Sequence, residues 1–245
     1  MMTENQDTIV FFWIGEEIET PRYLVKSIRL TMGDKIKIVQ LTNHKTKDVE
    51  GVSSIHRYNL SNQIMVARLE AYSNYIPETE NTYFCDADSI FINKVSLPNS
   101  SYKIYLCPRE INFNISHTFP EFYEEFVGKT AMDVMPYLFG MIATKGNQQS
   151  FFKSLHNICL QLPERFHRWY GDQYSLKSLI DNDFHQFEKL RVDKYLVILK
   201  EPLTIKYLEK IHKEGSIFIT FKGPNSKVFL KNALLLYEFY YKKIN

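Results

Sequence analysis

Cysteine is scarce: Cys85, Cys107 and Cys159 stand far apart, odd in number and without a C-x-x-C pair. That pattern excludes a disulfide framework or a thiolate zinc site and leads us to expect free thiols in a reducing, cytoplasmic setting. No uninterrupted apolar run approaches the roughly 20 residues of a membrane-spanning helix. Met1 to Thr8 is polar and slightly acidic, unlike a secretory signal. Charge of one sign is not concentrated anywhere. The net charge is +2 with charged residues at 24%, mixed along the chain, so a nucleic-acid partner is not expected. Also missing are a G-x-x-x-x-G-K-[ST] loop, a G-x-G-x-x-G turn and a G-x-S-x-G elbow, which argues against the common ATPase, dehydrogenase and α/β-hydrolase classes. There is no internal repeat and no low-complexity segment.

What the chain does hold is enough apolar and aromatic material, including 16 Tyr and 18 Phe over 245 residues, to bury one full α/β core. Thr8 to Ile14 is a β-rich run stopped by Gly15, and Pro21 opens a helix to Leu30. Lys35 to Leu41 and Ser54 to Tyr58 read as further strands, Asn62 to Tyr75 as a helix closed by Pro77. Strand, helix, strand at this spacing begins a doubly wound, mostly parallel sheet, whose ligand lies beyond the carboxyl ends of the strands, where Gly15 falls. Strands are expected again at Tyr102 to Cys107, Tyr137 to Thr144 and Ser216 to Phe221. Helices are expected before Pro163, from Gly171 to Ile180 and from Val228 to Ile244. Ile111 to Thr130 has no strong period and reads as loop or small helix.

The chemistry centres on Asn81 to Ile92, where two apolar runs flank Asp86-Ala87-Asp88. In extended backbone, side chains at i and i+2 share a face, so the two carboxylates would project together. Two adjacent ionised carboxylates repel unless a cation joins them. A hard divalent ion such as magnesium or manganese, completing its shell with water and substrate phosphates, suits the pair. Asp residues also cap turns, the alternative for any isolated D-x-D. Arg68 lies four residues from both Ile64 and Tyr72 on the apolar stripe of its helix and therefore needs a partner, either a core carboxylate or a diphosphate. Asp172 and Gln173 open a helix after Trp169-Tyr170, as an N-cap or as cleft residues beside aromatic faces that pack on sugar rings. Lys222, Gly223 and Lys227 form a basic, glycine-containing turn after a strand, fit to bring amides and ammonium groups to a diphosphate. The last helix has a narrow polar stripe at Lys231, Glu238 and Lys242 and is otherwise almost all apolar or aromatic, which suits packing into the fold or, helped by Lys242 and Lys243, peripheral contact with an anionic membrane face.

Together, the strand ending in Gly15, Arg68, the Asp86-Ala87-Asp88 pair, Asp172-Gln173 and Phe221-Lys222-Gly223 resemble a nucleotide-sugar glycosyltransferase of the GT-A fold, closest to the glycogenin-like (family 8) transferases. That family carries D-Q-D where this chain has Asp172-Gln173-Tyr174. It ends in H-F-x-G-x-x-K where this chain has Thr220-Phe221-Lys222-Gly223, with Lys227 one residue later. The resemblance implies one domain over 1–245, with a nucleotide-binding part about 8–95 and an acceptor part about 96–245. It further implies manganese or magnesium on Asp86 and Asp88, a nucleotide-diphosphate sugar as donor, a glycan or lipid-linked acceptor, and a place in surface polysaccharide synthesis. Asp172 and Gln173 are its catalytic candidates, as a base toward the acceptor or as groups that orient the donor sugar. The alternative is a phosphatase of the haloacid dehalogenase type, which also uses a strand followed by D-x-D. It places that pair at the end of its first strand and wants a later acidic residue where this chain has Leu176.

Overall fold

The computed structural model describes residues 7–118, 120–182, 184–222 and 225–244. The chain opens with β1 (Thr8–Phe12), α1 (Glu19–Met32), β2 (Lys37–Asn43), β3 (Ser54–Tyr58), α2 (Ile64–Asn74) and β4 (Asn81–Cys85). Every residue of β1 is buried. Ile9 and Phe11 face one side and meet α1 through Leu24, Val25 and Ile28; Val10 and Phe12 face the other and meet α2. This two-sided burial is why the strand reads as an unbroken apolar run instead of an alternating one.

The chain continues through β5 (Ser89–Phe91), β6 (Ile104–Pro108), α3 (Ile115–Thr118), α4 (Tyr123–Phe126), α5 (Ala131–Val134), β7 (Tyr137–Lys145), α6 (Gln149–Gln161), α7 (Glu164–Arg168) and α8 (Gly171–Asp181). It closes with β8 (Glu188–Lys189), α9 (Val192–Tyr195), β9 (Leu196–Leu199), α10 (Ile205–Lys213), β10 (Phe218–Phe221) and α11 (Ser226–Ile244). The main sheet has the order β3-β2-β1-β4-β7-β6-β8, parallel throughout except for β7, which runs against both its neighbours. The α/β, mostly parallel architecture expected from the sequence is the one observed. A second sheet, β5-β10-β9, stands beside it, with β10 antiparallel to β5 and parallel to β9.

One expectation needs correcting. The acidic pair is not set into a single strand: β4 ends at Cys85, β5 starts at Ser89, and residues 86–88 carry the chain from one sheet to the other. The apolar flanks that suggested continuous extension belong to two different cores, Phe84 under α2 and Ile90 under α11.

Helix α11 is part of the fold. Leu230, Ala233, Leu234, Tyr237 and Tyr240 are buried on it, against Ile90, Ile92, Ile219 and Leu208. The Tyr237 hydroxyl donates to the carbonyl of Ile92 at 3.0 Å and meets Thr31 Oγ1 at 3.0 Å, tying α11 to α1 and to the end of β5. Buried bonds of this kind contribute about 1 kcal/mol each. Peripheral membrane contact through α11 finds no support: one face of the helix packs on this core, while Val228, Leu235 and Phe239 on the other stay exposed. Among the described residues no helix is long and apolar enough to cross a membrane.

Candidate active site

A cleft of about 940 Å³ opens at the carboxyl ends of β1, β4, β6, β9 and β10, lined among others by Trp13, Asp86, Arg109, Ile198 and Thr220. Its floor is the 86–88 crossing, which is held on both sides. The Asp86 amide donates to the carbonyl of Gly140 at 3.1 Å, extending the β4–β7 ladder by one bond, and Thr220 Oγ1 donates to the carbonyl of Asp88 at 3.1 Å. The crossing cannot shift without breaking contact with one sheet or the other.

Arg68 projects from α2 beneath Asp86. Its Nη1 donates to Asp86 Oδ1 at 2.8 Å, its Nη2 is ion-paired with Asp172, and its guanidinium carbon lies 5.0 Å from the centroid of the Phe139 ring. Asp172 has no exposed surface. Its Oδ1 accepts from the backbone amide of Gln173 at 2.7 Å, so both oxygens are committed inside the protein. Helix α8 can present this carboxylate because Tyr170 adopts a left-handed conformation (φ 61°) just before the first helical residue, Gly171. A Cβ on Gly171 would lie 2.3 Å from the carbonyl oxygen of Phe166, a space that only glycine leaves open.

On the opposite wall, Lys222 Nζ sits 3.5 Å from Asp88 Oδ2 and 3.9 Å from Asp86 Oδ2. Burial raises the Asp88 carboxyl above the usual range; Lys222 pulls it back, and the charge of Asp86 pushes it the same way as burial. For Lys222 itself, burial favours the neutral amine, but Asp88 and Asp86 outweigh it and hold the ammonium above its ordinary pKa. Gly140 completes the cradle. A Cβ there would stand 2.9 Å from Asp86 Oδ2, so the absence of a side chain makes room for the carboxylate. A glycine inside a strand marks either a bulge or a close approach. Both are present: the β6–β7 register shifts at Leu106/Cys107, and the group that approaches is Asp86.

Arg68, Asp86, Asp88, Asp172, Gln173, Lys222 and Lys227 all line the one cleft. Lys227 reaches Glu17 across its mouth at 3.5 Å. Gly15 is not among the lining residues; its φ is 138° and its amide donates to Thr46 Oγ1 at 3.0 Å, securing the loop after β1. Gly223 lies outside the described residues. Sequence reasoning missed Arg109, whose Nε donates to the carbonyl of Met135 at 2.8 Å while Nη2 holds the side-chain oxygen of Gln173. The signal was present in the sequence, since Arg109 is the first charged residue after the apolar strand Ile104–Pro108, at the carboxyl edge where ligands bind. Trp169, 60% exposed, stands at the rim.

The pair fits a divalent cation in its chemistry. Both groups are hard oxygen donors, and Asp88 Oδ1 is buried without a hydrogen-bond partner. Three carboxylates, Asp86, Asp88 and Asp172, are ion-paired with two cations, Arg68 and Lys222, and Arg109, bonded to the neutral Gln173 side chain, lines the same cleft. No group of three His, Cys, Asp or Glu ligands occurs among the described residues, so further ligands would come from water and substrate.

No protein-family model matches the chain, and no curated protein sequence matches it. Solved structures do. A glycosyltransferase involved in the glycosylation of the major capsid of PBCV-1 aligns over 94% of this chain and 99% of its own at 9% identity, TM-score 0.55. GlyE, a glycosyltransferase of Streptococcus pneumoniae TIGR4, aligns over 98% of this chain at 13% identity, TM-score 0.55. WbbM, a bifunctional glycosyltransferase, aligns over 99% at 14% identity, TM-score 0.56. The chain spans 64% of the length of GlyE and 52% of that of WbbM. The phosphatase alternative finds no support: β1 ends at Phe12 and runs into Trp13-Ile14-Gly15 without a D-x-D pair, and the pair that exists follows the fourth strand. The chain has the GT-A-like fold of these glycosyltransferases, with its acidic pair on the floor of the cleft.

Proposed function

We propose that this chain transfers a glycosyl group from a nucleotide-diphosphate sugar to a hydroxyl of a glycan or lipid-linked acceptor. The observation that carries the reading is the meeting of Asp86 and Asp88 with Arg68 and Lys222 at the carboxyl edge of the sheet, in a glycosyltransferase fold. The donor would lie over residues of the 8–95 part, and the acceptor would approach through the 96–245 part, where Trp169 offers a flat face for a sugar ring.

Each role follows from position. Asp86 and Asp88 would hold a manganese or magnesium ion, which when bound offsets the charge that gathers on the departing nucleoside diphosphate. Lys222 and Lys227 line the wall from which ammonium groups reach the same phosphates. In this reading Asp172, fully buried and paired, acts by fixing Arg68, which in turn fixes Asp86, and not as a base toward the acceptor. Gln173, held by Arg109, is left as the polar group that orients the donor sugar.

The test is nucleotide release from a panel of UDP-, GDP-, CMP- and dTDP-sugars with manganese, beside Asp86→Asn and Asp88→Asn. Release from one donor that disappears in both variants supports the reading. Silence across the panel, with no metal-dependent nucleotide binding, sinks it.

A further inference from the structure

We infer that Lys222 is a built-in competitor for the divalent cation, holding the acidic pair closed until the diphosphate of the donor draws the ammonium away. The inference deepens the transferase reading and rests on it. An ammonium 3.5 Å from Asp88 Oδ2 and 3.9 Å from Asp86 Oδ2 stands where a cation shared by the two carboxylates must stand. The two charges cannot occupy that place together. Among the described residues no third acidic or imidazole ligand strengthens the metal's side of the competition.

Lys222 is also free to leave. It is the first residue after β10, its side chain is 48% exposed, and it lines the cleft where phosphates would arrive. Arg68 is not free in this way, being held between Asp86 and Asp172 at 15% exposure. The two cations therefore divide the work: Arg68 permanently neutralises one oxygen of Asp86, and Lys222 temporarily covers the other oxygen and Asp88. A diphosphate that brings its own metal offers Lys222 new oxygen partners as it takes the old ones. Binding of donor and metal is then mutually reinforcing, and the empty protein holds metal weakly.

The experiment is a manganese titration followed by electron paramagnetic resonance, without nucleotide, on the wild-type chain, Lys222→Met and Lys222→Arg, with circular dichroism confirming that each is folded. Removing the ammonium that occupies the cation's place should tighten binding at least about tenfold in Lys222→Met, while Lys222→Arg stays close to wild type. Adding UDP or GDP, whichever binds, should tighten manganese binding more in the wild type than in Lys222→Met. Equal affinity of wild type and Lys222→Met for manganese alone would overturn the inference while leaving the metal site standing. Absence of binding in all three, with and without nucleotide, would remove the metal site itself, and the metal-dependent transferase reading with it.

Discussion

Arg68 and Asp172 form an ion pair inside the protein, the arginine 15% exposed and the aspartate not at all. A buried pair contributes little net stability, but removing one partner strands the other charge, at a cost of about 3–5 kcal/mol. Arg68→Ala should therefore lower the urea unfolding free energy by about 3 kcal/mol or more, and Arg68→Met with Asp172→Leu should recover most of that loss. Both variants should lose nucleotide release, because Asp86 no longer has its anchor. A single-variant loss below about 1 kcal/mol would show that Asp172 finds water or another partner.

Gly140 separates stability from activity. A methyl group there meets a side-chain oxygen, Asp86 Oδ2 at 2.9 Å, and not backbone, so Asp86 must turn against its contacts with Arg68 and Lys222 while the backbone stays in place. Gly140→Ala should stay within about 1 kcal/mol of wild type in urea, since alanine also restricts the unfolded chain. Its kcat/KM for the donor should fall about 10- to 100-fold, the usual effect of displacing a positioning group by about an ångström. Unchanged turnover would show that the placement of Asp86 is not critical.

The thiols give a test independent of function. Burial pushes Cys85 and Cys107 up from the ordinary thiol range, and raises Cys159 to about 11 against the partial pull of Ser175 and Arg68. At about pH 8 the native protein should resist Ellman's reagent, reacting at three sites only after denaturation. A raised thiol pKa means that the unfolded chain loses these protons first, so stability should decline as pH rises through the window from 9.0 toward about 11 for Cys159. Rapid native labelling of any of the three would contradict the burial.

The sheet was legible because its strands are buried on both faces and its helices carry apolar stripes: β1, β2, β3, β6, β7 and β10 overlap the strands expected from sequence. The stretch from Phe184 to Leu199 was not legible. There β8 has two residues and β9 four, too short for any period to appear, and both exist only because a neighbouring strand offers hydrogen bonds. At the site, residue types announced the charges, Asp86, Asp88, Arg68 and Lys222, since each is costly next to apolar neighbours without a partner. Which charge pairs with which was not legible. The Arg68–Asp172 pair joins α2 to α8, and Lys222 meets the acidic pair only because β10 lies beside β5, relations that local sequence does not contain.

Strand β10 has a consequence for how the molecule comes into being. The hydroxyl that fixes the Asp88 carbonyl belongs to Thr220, 132 residues downstream. During synthesis the acidic crossing emerges well before the strand that frames it and the lysine that covers it. Until then the nascent chain carries two neighbouring carboxylates with neither frame nor counter-charge from the second sheet. The cleft is therefore finished only once residues 220–222 have been made, so a product that stops before them would hold most of the main sheet and an unframed acidic crossing.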